Sequence, residues 1–525
     1  MVRKQAHSAL PLNMPKQQTK LEPIRIPLIG TIYNRSISAA SGVSTSSGIV
    51  GVGVIGIMII GALVASTKDQ RFVNFIPEKI VNPLTQAETF FLAKRPGFAS
   101  LNTPATGNVG SAIHVWAGQG SGDKVISAFG ATNSTIYDST SSLGSTTGKV
   151  IFIADTLVGT TPNLTFVTGS NSAYYYPEGG ALTNISDADF PGNVAGQTIT
   201  GNFASLNGYN YIMTTSGRIY NSDSNSLSAW TANSFLSAQM TPDAGIGVVR
   251  YKDQIMAFGR ESIEFFQDIG NPSGSPLKST SQGVINIGCV SQFAYDKLDD
   301  TVVWIGSSAE SGIGLYMLNG FSPAKKSSPW IDAILATTNP SELYISCIKL
   351  MGKSLVVITS TADNRTYVYA VEDDMWHEWS SSVALWQHMA GIATGTKYIY
   401  AVTQQNTTGK VFIINPTSFV FQDNGSNYTA TAQTGRFDLG NTRRKFLDKL
   451  RVVGDVQTST CTIGVSWYDD DYVTITTPRN VDMSNTDAYL NGLGSFKRRA
   501  FVITNTGSTP CRIEALELEY RQGIH

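Results

Sequence analysis

The feature that most constrains the fold is a hairpin that recurs along the middle of the chain. Apolar runs of four to seven residues alternate with Gly, Asn, Asp and Ser, a pattern typical of antiparallel hairpins. Successive strand pairs begin at Tyr211, Met256, Val303, Val356 and Ile399, so they are spaced by 45, 47, 53 and 43 residues. Blades of a β-propeller recur at this spacing because one small sheet cannot bury its face alone. The chain is therefore predicted to be all-β, with few helices.

The same period extends toward the N-terminus. One and two periods before Tyr211, the pattern predicts strand pairs near Phe166 and Ser121, and strand-like apolar runs occur at both places. We therefore predict an irregular β-propeller of six or seven blades over residues 105–430. No propeller signature motif repeats, so stacked sandwiches and a β-helix stay open as alternatives.

The two flanks differ from this middle part. Residues 1–104 contain early prolines and no sustained helical period, which predicts an N-terminal arm that contributes to a platform. Residues 431–525 alternate apolar and polar residues over longer strands, which predicts a C-terminal β-sandwich platform domain.

An apolar insert interrupts the arm at residues 48–66. It is long enough to span a bilayer as a helix, but its glycines and β-branched residues weaken an isolated helix. Three interpretations stay open: a buried insertion or subunit interface, a loop that meets a membrane, and a permanent anchor. The apolar residues that would make the interface or membrane contact are Ile49, Val50, Val52, Val54, Ile55, Ile57, Met58, Ile59, Ile60, Leu63 and Val64.

The net charge of the chain is too small for its overall electrostatic field to hold it on nucleic acid or on an anionic membrane. The chain carries 38 basic and 39 acidic residues, a net charge of −1. Two local basic clusters could contact DNA phosphates or an acidic partner surface, or could simply be solvated. Their members are Arg443, Arg444, Lys445, Lys449, Arg451, Lys497, Arg498 and Arg499.

The cysteines indicate neither a zinc site nor a disulfide scaffold. Cys289, Cys347, Cys461 and Cys511 are far apart in sequence and form no C-x-x-C pair. We expect buried thiols; a bridge between Cys461 and Cys511 requires that their strands face each other. The N-terminal residues do not have the pattern of a secretory signal.

No motif in the chain predicts catalysis, a metal or a cofactor. His377 lies between Trp376 and Glu378, but strand alternation would place it on the opposite face. Glu261 and Glu264 would point to opposite faces of one strand, which argues against a glycosidase pair. The glycine-rich 118–124 segment is expected to be a hairpin turn, and the acidic run 469–471 a solvated turn.

Several motifs, in order, resemble a family of short-tailed bacteriophage tail proteins. This is the nozzle protein family, also called packaged-DNA stabilisation protein or tail tubular protein B. The motifs are IPLIGTIYNRS (26–36), DQRFVNFIPEKI (69–80), KRPGF (94–98), YKDQIMAFGRESIEFF (251–266), INIGCVSQFAYDKLDDTVVWIG (285–306), GLYMLNGFSPAKKSS (314–328), WHEWSS (376–381) and the block FDLGNTRRKFLDKLRV, LGSFKRRAFVITNTG and RIEALELEY.

The resemblance implies a structural virion protein without enzymatic activity or cofactor. It implies a homohexameric ring in the short tail, assembled in the bacterial cytoplasm, that closes the DNA channel below the adaptor. Such a ring retains the packaged genome and conducts it during ejection. Expected partners are the adaptor ring and portal complex, tail fibres or spikes, a tail needle, DNA in transit and the host envelope. The insert at 48–66 departs from the family pattern.

Two other functions compete with this one. A propeller-type tail protein could recognise a host surface glycan through polar loops such as residues 171–176. A glycan hydrolase on the same scaffold is the third interpretation, and it would depend on Glu261 and Glu264.

Overall fold

The computed structural model describes residues 24–27, 70–81, 88–116, 122–238, 240–241, 243–271, 273–280, 283–361, 363–381, 389–404, 408–470 and 473–523. The apolar insert at 48–66 lies outside these residues, so its predicted contacts stay a prediction. Five strands precede the propeller in sequence: β1 (Ile24–Pro27), β2 (Arg71–Val73), β3 (Phe75–Val81), β4 (Glu88–Lys94) and β5 (Ala99–Asn102).

Seven small antiparallel sheets follow one another along the middle of the chain. Blade one consists of β6 (Gly110–Trp116), β7 (Lys124–Phe129), β8 (Thr135–Asp138) and β9 (Ser141–Ser145). Blade two consists of β10 (Val150–Val158), β11 (Thr161–Thr168), β12 (Ala173–Pro177) and β13 (Thr183–Asn184). Blade three consists of β14 (Ile199–Leu206), β15 (Tyr209–Thr214), β16 (Arg218–Ser222) and β17 (Trp230–Ser237). Blades four and five consist of β18 (Gly245–Tyr251), β19 (Gln254–Gly259), β20 (Ile263–Asp268) and β21 (Leu277–Ser279); and β22 (Gly288–Cys289), β23 (Tyr295–Leu298), β24 (Thr301–Ser308), β25 (Gly312–Asn319) and β26 (Ser322–Lys325). Blades six and seven consist of β27 (Leu343–Leu350), β28 (Lys353–Ser360), β29 (Arg365–Ala370) and β30 (Met375–Trp379); and β31 (Met389–Thr394), β32 (Ile399–Thr403), β33 (Val411–Ile414) and β5.

The seven sheets close into a ring, which confirms the predicted β-propeller and sets the blade number at seven. The innermost strand of the last blade, β31, packs beside the innermost strand of the first, β6. The outermost strand of the last blade is β5, which precedes the whole propeller in sequence. A strand from the N-terminal arm thus completes the ring.

Tight turns explain why the hairpins were visible in the sequence. Asn207 and Gly208 join β14 to β15 with φ of 52° and 83°, the left-handed region that Asn and Gly adopt most readily. The strands on either side place apolar residues in the interfaces between neighbouring blades.

The C-terminal residues form a β-sandwich, as predicted. A separate two-stranded hairpin, β34 (Gln422–Asp423) and β35 (Ser426–Asn427), precedes it. The C-terminal strands of the sandwich are β36 (Ala430–Gln433), β37 (Lys445–Gly454), β38 (Thr462–Asp469), β39 (Arg479–Asp482), β40 (Tyr489–Asn491), β41 (Ser495–Phe496), β42 (Arg499–Asn505) and β43 (Arg512–Gln522). One sheet has the order β3-β4-β43-β37-β40, with β1 also on β43 and β41 on β37. The arm strands β1, β3 and β4 therefore belong to the platform.

The second sheet of the sandwich is continuous with the sixth blade. The nine strands run in the order β27-β28-β29-β30-β2-β36-β42-β38-β39. The short strand β2 pairs in parallel with β30 and antiparallel with β36, so it joins propeller to platform. The proposed division into three domains at 104 and 430 stays a prediction.

Helix is rare in the described part of the chain. The single α-helix there, α1 (Pro329–Thr337), begins after Ser328, whose side chain accepts a hydrogen bond from the Ile331 amide. Among the residues described, none of the helical structure is long and apolar enough to cross a bilayer.

Candidate functional site

A buried polar junction lies where the propeller meets the platform. Asn74, in the loop between β2 and β3, has a left-handed φ of 58°, and its amide donates to the Glu378 carbonyl at 2.8 Å. The Arg71 guanidinium makes two bonds to the Glu378 carboxylate, at 2.9 and 2.7 Å. The end of β30 is therefore held by both the backbone and the side chains around β2.

Arg95 is the central charge of this junction. Its side chain has no solvent exposure, and neither does that of Asp423, to which it donates at 3.1 and 2.5 Å. The same guanidinium donates to Asn74 Oδ1 at 2.8 Å and to the Ser380 carbonyl at 2.8 Å. Its carbon atom lies 3.9 Å from the centre of the Tyr428 ring. A buried ion pair is tolerable only when its remaining donors find partners, as they do here.

Three motifs that carried the family resemblance meet in this junction. KRPGF supplies Arg95, DQRFVNF supplies Arg71 and Asn74, and WHEWSS supplies Glu378. Gly97 of the first motif has no room for a side chain, because an added Cβ would lie 2.1 Å from the Gln422 carbonyl oxygen. These motifs carried the family resemblance but had no predicted structural role. Lys94 and Arg95, two charges between the apolar run of β4 and the Pro96-Gly97 pair, are the signal that could have marked the first motif.

The axis of the propeller is obstructed by aromatic rings. A cavity of about 580 Å³ lies between the inner strands of the seven blades. Phe293 of the fifth blade stacks on Phe152 of the second at 5.2 Å between ring centres, and contacts Tyr344 of the sixth at 4.9 Å. Since blades two and five face each other across the ring, Phe293 crosses the axis. A DNA duplex, whose major groove alone is about 12 Å wide, does not fit.

Charged groups also line this cavity. His114 Nε2 lies 3.4 Å from the Asp155 carboxylate, and this contact lowers the pKa of Asp155. Burial raises the pKa of Asp296 to about 6, although its carboxylate accepts the Cys347 amide at 2.7 Å. Basic and acidic groups are therefore mixed in the cavity.

Four of the eight predicted basic residues form an exposed basic corner: Arg443, Arg444, Lys497 and Arg498. The Lys445 ammonium joins the two loops that carry them, because it donates to the Asn441 carbonyl and, at 2.9 Å, to the Lys497 carbonyl. The sequence-distant clusters are thus brought together.

The other four predicted basic residues are engaged within the chain. Lys445 and Arg499 are completely buried, and Arg499 makes two bonds to Asp469 at 2.6 and 2.9 Å. Their burial removes both from the set available to DNA or an adaptor. Lys449 lies 4.3 Å from the centre of the Tyr489 ring, and Arg451 pairs with Asp487.

The catalytic alternatives find no support in the described geometry. Burial lowers the pKa of His377 to about 3, so the ring is neutral near pH 7 and has no exposed edge. Glu264 is buried and accepts the Met240 amide at 2.9 Å, whereas Glu261 lies exposed in the turn before β20. Across the described ranges no group of three potential metal ligands occurs.

The 171–176 segment predicted to be a polar loop for glycan recognition is mostly strand, because β12 begins at Ala173, and Asn171 before it is hydrogen-bonded within the chain. Asn171 Nδ2 donates to the carbonyls of Gly192 and Gln197, both at 3.1 Å, and its Oδ1 accepts the Ile199 amide at 2.7 Å. These bonds connect the second blade to the third. The Asn171 amide is therefore not free to bind a sugar hydroxyl.

The family assignment follows from a comparison with protein-family models. The model described as bacteriophage P22 Gp10, beta-propeller, matches residues 87–413, more than half of the chain. The chain belongs to the P22 Gp10 family. Membership in this family makes the protein a structural component of a short-tailed phage virion that stabilises packaged DNA. The matched region contains the seven blades up to Ile413 in β33, and the KRPGF and WHEWSS motifs of the junction.

Solved structures that resemble this P22 Gp10 family member are distant. BBS1N in complex with ARL6DN is 13% identical with a TM-score of 0.39, covering 61% of this chain and 97% of that one. BamB from Moraxella catarrhalis is 11% identical with a TM-score of 0.35, covering 65% and 97%. The WD40 repeats of RRP9 are 11% identical with a TM-score of 0.36, covering 62% and 99%. A search of curated proteins gave no match.

Proposed function

We propose that copies of this chain assemble into the nozzle ring of a short tail. The ring closes the DNA channel below the adaptor, retains the packaged genome, and conducts DNA during ejection. The obstruction of the propeller axis by Phe293 is the observation that supports it most directly. Since the described part of the propeller leaves no duplex-sized passage along its axis, a channel has to form between subunits. Six copies are expected from the family resemblance.

The continuous sheet supports a mechanical role. A structure that retains DNA under pressure has to resist displacement of its parts, and strand β2 joins the propeller to the platform by hydrogen bonds on both of its edges. The Arg95–Asp423 pair holds the adjacent loops. Force on the propeller is thereby transmitted to the platform.

The platform is the part that we expect to attach to the adaptor ring and portal complex. The basic corner, Arg443, Arg444, Lys497 and Arg498, is exposed and has the charge to dock on acidic side chains or DNA phosphates. Fibres, spikes, a needle and the host envelope are further proposed contacts, made outside the platform. Assembly takes place in the bacterial cytoplasm.

Light scattering tests ring formation. The mass of the purified protein is measured alone and after mixing with the adaptor-bearing portal complex, with electron micrographs of the product. A hexameric ring, alone or only on the adaptor, is expected. A monomer that ignores the adaptor would contradict the nozzle and favour a receptor-binding propeller, to be examined by saturable binding to host cells.

A charge reversal tests the basic corner. The pair Arg443→Glu and Arg444→Glu is expected to weaken attachment to the adaptor and to make the residual attachment salt-sensitive. Arg260→Glu with Lys278→Glu, two exposed propeller cations, is the matched control because it changes the charge equally. Equal loss of attachment in both variants would show that net charge, and not the corner, is responsible.

A further inference from the structure

Two buried thiols face each other inside the sandwich. Cys461 lies directly before β38, in the sheet shared with the propeller, and Cys511 lies directly before β43, in the opposite sheet. Their exposed fractions are 0% and 3%. The sequence left open whether these positions meet; the fold brings them together although fifty residues separate them.

The two thiols are neighbours in the core. Both thiols belong to one buried cluster and interact electrostatically, and Cys461 Sγ lies 3.6 Å from the carbonyl oxygen of Pro510, the residue before Cys511, and 3.6 Å from Asn505 Nδ2. The buried ammonium of Lys94 donates to Asn505 Oδ1 at 2.8 Å and to the carbonyl of Gly507. A cation therefore lies next to two thiols within the core.

Electrostatics distinguishes these thiols from the other two. The interaction between the two thiols lowers the pKa of Cys461 and, together with burial, raises the pKa of Cys511. The nearby Lys94 charge also favours the Cys461 thiolate. Burial raises the pKa of Cys289 to about 12, and burial together with the Asp296 and Asp299 carboxylates raises the pKa of Cys347 well above its ordinary value. Cys461 is the thiol best suited to act as a nucleophile, since the thiolate is the reactive form.

We propose that Cys461 and Cys511 form a reversible disulfide that links the two sheets of the sandwich. The oxidant is a peroxide. The Cys461 thiolate attacks one oxygen, the O–O bond breaks, and the departing hydroxide takes up the proton that Cys461 lost on ionising, which gives water. Cys511 then loses its proton and attacks the sulfenic sulfur; the S–O bond breaks and a second water leaves. Two sulfurs are oxidised and one hydrogen peroxide is reduced to two waters.

The bond would form when the protein leaves a reducing compartment. Thiols stay reduced in the cytosol and oxidise outside it, and a released virion is outside. A cross-link between residues far apart in sequence restricts the unfolded chain and so stabilises the fold. The propeller-bearing sheet and the sheet of the N-terminal arm would then be joined covalently.

Mass spectrometry of the full-length protein tests the proposal. The folded protein is treated with hydrogen peroxide at pH 7, free thiols are alkylated, and non-reducing peptides are mapped. We expect a loss of two hydrogens, two alkylated thiols instead of four, a peptide linking Cys461 to Cys511, and reversal by dithiothreitol. Four alkylated thiols, or a different linked pair, would overturn the proposal.

Variants and the pH dependence of the rate refine the test. Cys461→Ser and Cys511→Ser should each abolish the link, whereas Cys289→Ser, which removes an equally buried thiol, should leave it intact. The rate in the wild type should rise with pH around a midpoint below about 8.5, the ordinary thiol value. Oxidised wild type should unfold at a higher temperature than reduced wild type. If a variant fails to fold, the wild-type peptide map still decides the outcome.

Discussion

Arg95 is the residue on which the junction depends most. The Asp423 carboxylate neutralises its charge, and the remaining N–H groups of the guanidinium donate to backbone carbonyl and side-chain amide oxygens. The side chains of Arg95 and Asp423 are both fully buried. Removing one partner of a buried pair leaves the other charge uncompensated, which typically costs about 3–5 kcal/mol.

Arg95→Leu is therefore expected to lower the free energy of unfolding by about 3–5 kcal/mol, measured by urea denaturation. Arg443→Leu, an exposed arginine in the basic corner, is the control and should change it by less than about 0.5 kcal/mol. A similar small effect in both variants would show that the Arg95 pair does not stabilise the native chain.

His377 makes stability depend on pH. Burial depresses its pKa to about 3, whereas in the unfolded chain it is about 6.5. The unfolded state therefore binds more protons, and stability falls as pH drops below 6.5. The contribution lost by pH 5 is about 2 kcal/mol.

His377→Gln should consequently lose less stability than the wild type between pH 7 and pH 5, as measured by urea midpoints. The wild type must be compared with this variant because Asp296 changes the pH dependence of stability in the opposite direction. Its pKa is raised to about 6 by burial, so its contribution to stability increases as pH falls below that value. Parallel pH profiles for both proteins would contradict the prediction for His377.

At the scale of elements, β30 differs from the outer strands of the other blades. It is paired on both edges, by β29 and by β2, whereas β9 and β17 end their sheets. A backbone amide inside a sheet exchanges its hydrogen with solvent only after several strands separate, whereas an amide at a sheet edge needs a smaller local opening and exchanges faster.

Hydrogen exchange followed by mass spectrometry should therefore show slower exchange in Met375–Trp379 than in Trp230–Ser237, a matched outer strand of the third blade. Substituting Phe72, which is buried at the centre of the connection, with alanine should accelerate exchange in β30 and leave β17 unchanged. Equal rates in the two wild-type strands would contradict a fixed connection.

The elements also show what sequence could and could not predict. Hairpins such as β14–β15 pair neighbouring residues around an Asn-Gly turn, so their period was visible in the sequence. Strands β2 and β5 are three and four residues long, and their partners lie roughly three hundred residues away. Such pairing leaves no local pattern. For the same reason the Arg95–Asp423 contact was invisible, as was the burial of Lys445 and Arg499 among exposed basic neighbours.

For the whole molecule, near-neutral charge has a consequence for DNA. With 38 basic and 39 acidic residues, and several of the basic ones paired internally, the chain has no net excess of cations to replace counterions on phosphates. Such a surface favours passage of DNA over its retention by binding.

The isolated protein is therefore expected to bind duplex DNA more weakly than about 10⁻⁴ M at physiological salt, in a gel-shift or anisotropy titration. Replacing Asp448 and Glu519 with lysine on the exposed platform sheet should tighten binding and steepen its salt dependence. Tight binding by the wild type would contradict passage without adhesion.

The pairing of β1 with β43 also has a consequence for time. About 485 residues separate the two strands. At roughly 5–20 residues per second, a ribosome needs on the order of 25–100 s to make the second after the first. During that interval β43 has not been synthesised, so β1, β4 and β37 lack the strand with which they pair in the folded protein. A ribosome that stalls early thus releases a chain whose platform sheet lacks its central strand. A complete platform sheet therefore forms only after translation has passed residue 522, the end of β43.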